Sequence, residues 1–199
     1  MTEPDLSDAV VPVPLQVGPY RLDVPAASDI ADVVAAFHDP EIATWNPAGG
    51  GEISAEERAP VWIADRATWT SQHASWVVRD HDGTVIGQVS LHHLDHEGGT
   101  GEVGYWLTPR GRGRGIGTAV LDAATRYAFD VLDLFRIELY HAVENTASCR
   151  MAQRCGYQLE GTARQSYRYG DGNRHDEHLH AVLATDQRPD IPRLSRRRT

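Results

Sequence analysis

The chain has 199 residues, of which 41% are hydrophobic and 24% charged, a composition typical of one globular domain with a sizeable core. Its formal net charge of -9 argues against general nucleic-acid binding and suits a cationic partner such as a protonated amine. No apolar run approaches the ~20 residues of a membrane helix, and two cysteines are too few for a disulfide framework. We therefore expect a cytoplasmic protein that makes no membrane contact.

The amino-terminal part is predicted to hold an arm, one strand and two helices. Residues 1–19 contain four prolines and little periodicity, so we expect an extended or mobile arm before a single folded domain at 20–184. The elements that follow are a strand at 20–24, a helix at 28–37 and a helix from the capping box at 54–57 to about residue 70.

A segment without clear period separates these two helices. We predict residues 41–53 to be a loop, which could line a pocket and move when a ligand enters. Its Trp45 and Asn46 are candidate substrate-pocket residues. A core anchor is an equally good interpretation of Trp45.

The next stretch contains a predicted hairpin, with strands at 75–79 and 84–92 joined by an Asp-Gly turn. His92, His93 and His96 could suggest a metal site. However, adjacent histidines on a strand point to opposite faces, and no cysteine or carboxylate set completes a site, so we predict no metal. His92 is better interpreted as a solvated or pocket-lining residue.

The central feature of the sequence is a strand at 102–107, a turn rich in glycine and arginine, and a helix at 116–131. Glycines at the start of a helix allow close approach of a ligand to the backbone, and the first-turn N–H groups attract phosphate oxygens. The turn lacks the lysine of a P-loop, and Val120 stands where a dinucleotide fingerprint requires a third small residue. The pattern that remains is R-x-x-G-x-G at Arg112, Gly115 and Gly117.

The carboxyl-terminal part is predicted to hold three further strands and one helix. These elements are a strand at 135–143, a helix from Asn145 to Arg154, a strand at 157–169 bent around Gly161, and a strand at 177–184. The basic residues 185–199 are expected to be a disordered tail.

Two blocks of sequence resemble one known family. The first is GYWLTPRGRGRGIGTAV, which contains the R-x-x-G-x-G pattern, and the second is the N-x-x-S block that begins at Asn145 and ends with Glu160 and Gly161. Together they resemble the GNAT N-acetyltransferases, in particular the branch of ribosomal-protein alanine and serine N-acetyltransferases. The resemblance covers about residues 20–184. It implies an α/β (α+β) three-layer fold with a mixed central sheet of about seven strands and helices on both faces.

The resemblance also implies a function and a co-substrate. The chain would transfer the acetyl group of acetyl-CoA directly to a primary amine, either a protein or peptide N-terminus or a small molecule. The resemblance also suggests that the chain could form a homodimer. By the same resemblance, the residues that hold CoA are Trp106, Leu107 and Thr108 at the acetyl end, Arg112, Gly113, Arg114, Gly115, Ile116 and Gly117 at the pyrophosphate, and Asn145 and Ser148 beside the thiol.

Three residues are candidates for the chemistry. Glu102 or Glu160 would accept the amine proton, with Glu102 favoured, and Ser148 would act as the acid or orient the thiol by hydrogen bonding. Asn145 also fits a helix N-cap. The alternative function is a CoA-binding sensor or interaction module of the same fold without turnover.

Overall fold

An eight-stranded mixed sheet forms the centre of the structure, a computed structural model that describes residues 10–46, 53–191 and 194. The strands are β1 (Leu15–Val17), β2 (Tyr20–Asp23), β3 (Ala74–Arg79), β4 (Val85–Asp95), β5 (Thr100–Leu107), β6 (Arg136–Ala142), β7 (Gln158–Arg168) and β8 (Arg174–Leu183). Their order is β1-β2-β3-β4-β5-β6-β8-β7, and the β5–β6 pair is parallel while the other neighbours are antiparallel.

Helices cover both faces of this sheet. They are α1 (Ile30–Phe37), α2 (Pro40–Trp45), α3 (Ala55–Ala67), α4 (Ile116–Asp130) and α5 (Thr146–Arg154). Because successive strand residues point to opposite faces, Trp76 and Val78 join the core under α4, whereas Val77 joins the core under α1 and α3. The predicted fold class is thereby confirmed, with one strand more than expected.

The gap between the two parallel strands positions the site. β5 pairs with β6 only through Thr100–Glu102, opposite Arg136–Glu138. Beyond these residues β5 continues to Leu107 and β6 to Ala142, so their facing edges diverge. Backbone N–H and C=O groups along such a gap are available to a ligand.

The predicted loop at 41–53 contains a short helix that the sequence analysis missed. Asp39 caps α2, since its Oδ1 accepts a hydrogen bond of 3.0 Å from the Ile42 N–H, and Pro40 occupies the first helical position. The Asp-Pro pair therefore starts a helix instead of only ending the previous one. Residues 47–52 of this predicted loop lie outside the described residues.

Both terminal segments contribute to the fold where they are described. The predicted arm contains β1, and Trp76 Nε1 donates a hydrogen bond of 2.8 Å to the Val13 carbonyl. In the tail, Ile191 and Leu194 pack against the core. Residues 1–9, 192–193 and 195–199 lie outside the described part.

Among the helices that are described, none combines the length and apolar composition needed to cross a membrane.

Candidate active site

A cleft of about 490 Å³ opens where β5 and β6 diverge, and we call it the main cleft. Tyr105, Trp106 and Leu107 of β5 line one wall, and Asn145 and Ser148 at the start of α5 line the other. The cleft extends to the glycine loop, which we define as residues 108–115 between β5 and α4. The structure thus brings together the two sequence blocks that are separated along the chain.

The glycine loop has glycines where the backbone requires them. Gly113 and Gly115 have φ values of 70° and 75°, a region that L side chains rarely adopt, and Gly115 is the N-cap of α4. A Cβ on Gly117 would lie 2.4 Å from Met151 Sδ, so this glycine allows α4 to pack closely on α5. The first turn of α4 consequently faces the cleft with N–H groups and the positive end of the helix dipole.

The arginines of the glycine loop are paired with carboxylates. Arg112 lies on the cleft wall, and its guanidinium is 3.3 Å from Asp39 Oδ2 and 3.2 Å from Glu41 Oε2. Partial burial would raise the pKa of Asp39, but hydrogen bonds from Arg112 and the Ile42 N–H outweigh this effect and lower it. Arg114 lies 5.7 Å from the centre of the Tyr20 ring, so it braces the loop from outside.

Two further arginines line the main cleft and were missed by the sequence analysis. Arg150 and Arg154 of α5 lie on the wall opposite β5, one helical turn apart. The sequence could have indicated them, because an i, i+4 spacing on the helix that begins at Asn145 places both arginines on one helix face. They supply positive charge to the part of the cleft that adjoins the glycine loop.

A tyrosine–serine pair lies at the other end of the main cleft. The Tyr105 and Ser148 hydroxyl oxygens are 2.6 Å apart, and Asn145 Oδ1 accepts a hydrogen bond of 3.1 Å from the Ser148 N–H. The predicted N-cap role of Asn145 is therefore confirmed. Burial raises the pKa of Tyr105 well above its usual value. Tyr105 was not among the predicted site residues, although a phenol packed against the core normally needs a polar partner.

A second, smaller cleft of about 60 Å³ adjoins this pair, and we call it the side cleft. It shares Trp45, Asn46, Tyr105, Asn145 and Ser148 with the main cleft. Gly104 and Tyr169 also line it. The Trp45 ring packs edge-on against Tyr169 at a centroid distance of 5.7 Å, so Trp45 is held at the junction of the two clefts.

Glu102 directly precedes Val103 of the side cleft without lining that cleft, and it contacts two histidines. Its carboxylate is 3.6 Å from His92 Nε2 and 3.0 Å from His93 Nδ1, and these contacts lower its pKa. The expectation that His92 and His93 point to opposite faces is wrong, because His93 has a φ of 50° and the ladder shifts register after His92. The His92 ring lies against Gly104, where a Cβ would be 3.1 Å from His92 Cε1.

Comparison with known proteins identifies the family. A model of the acetyltransferase (GNAT) domain matches residues 21–158. The chain belongs to the GNAT acetyltransferase family.

The chain spans about half the length of the curated relatives that it matches. The Bacillus subtilis (strain 168) protein named "Putative ribosomal N-acetyltransferase YdaF" is 37% identical over 103 residues, 52% of this chain and 56% of that protein. The spermidine N(1)-acetyltransferase of Vibrio cholerae is 30% identical over 86 residues, 43% of this chain and 50% of that protein. The solved structure of Mycobacterium smegmatis RimJ in complex with CoA-disulfide has a TM-score of 0.75 at 23% identity, covers 88% of this chain and 89% of its own, and shows the shared fold.

Six predicted site residues do not line either cleft, namely His92, Glu102, Thr108, Arg114, Ile116 and Glu160. Glu160 lies on the edge strand β7, separated from β6 by β8, and Arg136 holds its carboxylate through bonds of 2.9 and 2.6 Å. The Arg136 hydrogen bonds lower the pKa of Glu160. The Thr108 hydroxyl bonds the Ile86 carbonyl, and Ile116 is fully buried in the core. These positions support the scaffold of the cleft and do not form its wall.

Proposed function

We propose that this GNAT domain is an acetyl-CoA-dependent N-acetyltransferase that acetylates a primary amine. The observation that carries the proposal is the continuity of the main cleft, which joins the glycine loop to the Tyr105–Ser148 pair. One end offers backbone donors for phosphate, and the other offers hydroxyl groups for a reacting centre. An extended ligand with a phosphate group and a thioester at opposite ends fits this arrangement.

The residues of the cleft suit CoA in three respects. The edge of β5 beyond Glu102 is not paired to β6, so its peptide groups are available to the amides of pantetheine. The first turn of α4 and the glycines before it suit a pyrophosphate. Arg150 and Arg154 add positive charge beside them. When bound, acetyl-CoA supplies the activated acetyl group.

The Tyr105–Ser148 pair is suited to donating a hydrogen bond to a leaving thiolate. Burial raises the pKa of Tyr105, so its hydroxyl stays protonated at neutral pH and serves as a hydrogen-bond donor, while it is a weak acid. Ser148, held through its N–H by Asn145, is 2.6 Å away and orients that hydroxyl. We therefore extend the expected thiol-orienting role of Ser148 to the pair.

We propose that Glu102, acting with His92, accepts the proton of the amine. Since its contacts lower the pKa of Glu102, that carboxylate alone is a weak base, and the neighbouring neutral imidazole can accept a proton. The His92 ring lies against Gly104, which lines the side cleft, and His92 Nε2 is 3.6 Å from the Glu102 carboxylate. Glu160 would reach this cleft only if its ion pair with Arg136 opened, so we place it second.

The acceptor is proposed to enter through the side cleft. A volume of about 60 Å³ admits the amine end of a longer molecule and leaves the remainder outside. The net charge of -9 favours a cationic amine. The names of the relatives point to two classes, protein N-termini and polyamines. Both classes present a primary amine on an extended, narrow chain.

A thiol-release assay tests the function. Wild-type protein is incubated with acetyl-CoA and either peptides with free N-termini or spermidine, with N-blocked peptides as the matched control. Release above the rate without acceptor, with acetylated amine detected by mass, supports an enzyme. Tight CoA binding without acetylation of any amine tested would favour the CoA-binding sensor. Absence of CoA binding would contradict both functions.

A further inference from the structure

Three histidines and one cysteine meet behind the side cleft, and we call them the His3Cys cluster. Its members are His141 on β6, Cys149 on α5, and His178 and His180 on β8. One ligand atom from each residue lies within 4.8 Å of the others. Two members are buried, since His180 is 0% exposed and His141 is 4% exposed, and Cys149 and His178 are half-buried.

The ring nitrogens of this cluster are short of hydrogen-bond partners. Among the residues that the structure describes, no partner is found for His141 Nε2, His178 Nδ1 or His180 Nδ1. His141 Nδ1 lies 2.7 Å from the Ala142 carbonyl, which can only accept, so Nδ1 carries the proton and Nε2 has a free lone pair. Unpaired buried nitrogens are costly unless another group binds them.

This donor set suits a transition-metal ion. Three imidazoles and a thiolate are typical ligands of tetrahedral Zn²⁺, whereas Mg²⁺ and Ca²⁺ prefer oxygen. In such a site neighbouring sulfur and nitrogen ligands are about 3.5 Å apart. Cys149 Sγ is 3.7 Å from His180 Nε2, so His180 would bind through Nε2, and its unpartnered Nδ1 is not the ligand atom. The bond from His141 Nδ1–H to a backbone carbonyl is the outer contact that metal-bound histidines commonly make.

The sheet register brings the cluster together. His141 lies directly opposite His178 in the antiparallel β6–β8 pair, and His180 is two residues further along β8 on the same face. Cys149 approaches this face from α5, one residue after Ser148 of the main cleft. His141 also lines the side cleft, which offers an entry path for an ion.

We propose that His141, Cys149, His178 and His180 form a binding site for one Zn²⁺ ion or a similar divalent transition metal. With four protein ligands the site is closed and structural. It fastens α5 to the β6–β8 pair and so fixes the helix that carries Asn145 and Ser148. The site is independent of the proposed acetyl transfer.

Metal titration of the full chain tests the site. Reduced, chelator-treated protein is titrated with Zn²⁺ alone and, separately, with Co²⁺, whose visible and thiolate charge-transfer absorption reports a tetrahedral sulfur ligand. We expect one equivalent bound and a higher melting temperature in the presence of zinc. Cys149→Ser should abolish the charge-transfer band and weaken zinc binding by roughly a hundredfold or more.

Matched variants separate this site from other ligands of the chain. Cys155→Ser removes the other thiol, and His93→Gln disrupts the exposed group of His92, His93 and Glu102, the second cluster of possible ligands. Both should bind like wild type. If Cys149→Ser does not fold, as judged by circular dichroism, His178→Asn takes its place. Absence of stoichiometric binding by wild type, unchanged binding in the cluster variant, or loss of binding in His93→Gln would overturn the proposal.

Discussion

The two ends of the main cleft are built from different parts of the polypeptide. At the glycine loop the backbone faces the cleft, and the neighbouring arginines are largely paired with carboxylates. At the far end side chains dominate, in the Tyr105–Ser148 pair and the nearby Glu102–His92 contact. We therefore expect changes at the first end to weaken CoA binding and changes at the second to slow turnover.

The largest effect is expected from the proposed base. Glu102→Gln and His92→Asn should each lower turnover by ~10²-fold or more while the KM for acetyl-CoA stays nearly level, because proton acceptance is lost and CoA binding is not. Raising the pH should partly rescue both variants by supplying free amine. Steady-state kinetics against pH measures this.

His93→Asn is the matched control for the base, because His93 also contacts Glu102 but its side chain is 74% exposed. Its turnover should remain within about threefold of wild type, as is usual for an exposed side chain outside the reaction. An equal loss in all three variants would indicate a structural role for Glu102. If Glu102→Gln keeps full activity and Glu160→Gln loses turnover, the base role belongs to Glu160.

A smaller loss of turnover is expected from the tyrosine–serine pair. Tyr105→Phe removes the proposed hydrogen-bond donor, and turnover should fall by about 10- to 10²-fold. The loss is moderate because a thiol has a pKa of about 8.5 and its thiolate leaves without full protonation. Ser148→Ala should act through the same hydroxyl, so the double variant should lose less than the product of the two single losses. Independent, multiplicative losses would show that the two hydroxyls do not act together.

Substitutions in the glycine loop should weaken CoA binding and leave turnover nearly unchanged. Gly113→Glu places an anion beside the proposed pyrophosphate and should weaken CoA binding at least tenfold, about 1.4 kcal/mol, with little change of turnover at saturation. Calorimetry measures the affinity. Gly172→Glu is the matched control, since both glycines have positive φ and open space around their Cβ positions, but Gly172 lies in the β7–β8 turn. Gly117 is unsuitable, because its Cβ would meet Met151 and disturb folding.

The smallest effect concerns Asp80, which braces the glycine loop from outside through a bond of 3.0 Å from Arg110. Burial would raise the pKa of Asp80, but hydrogen bonds from His81 and Arg110 outweigh it and lower the pKa to about 2. Because the folded pKa lies below the unfolded value, this stabilisation exists above about pH 4 and is lost as pH falls towards 2. Denaturant unfolding of Asp80→Asn should show about 1 kcal/mol less stability at pH 7.

The same difference in stability should shrink between pH 4 and pH 2, where the wild-type carboxylate becomes protonated. A difference that is constant over this range would contradict the ion-pair origin. Asp171→Asn in the β7–β8 turn should leave CoA affinity unchanged, whereas Asp80→Asn should weaken it slightly by loosening the loop.

Sequence patterns predicted the main elements because their periodicity is local. The strand predicted at 102–107 is present as part of β5, and the alternation at Val103, Tyr105 and Leu107 places these residues on one of its faces. The capping box of Ser54 and Glu57 is present at the start of α3. The predicted bend around Gly161 coincides with a register shift of β7. By contrast, α2 was missed because a helix of one and a half turns has too few residues to show a period.

Contacts between distant segments could not be predicted in the same way. The sequence by itself determined the strand, glycine loop and helix that make the phosphate end of the cleft, because these features depend on neighbouring residues. Only the tertiary structure decided that Tyr105 meets Ser148, that Glu160 is held by Arg136, and that the His3Cys cluster converges. Pairing of β5 with β6 and of β6 with β8 sets these distances, and such pairing depends on how the whole sheet closes.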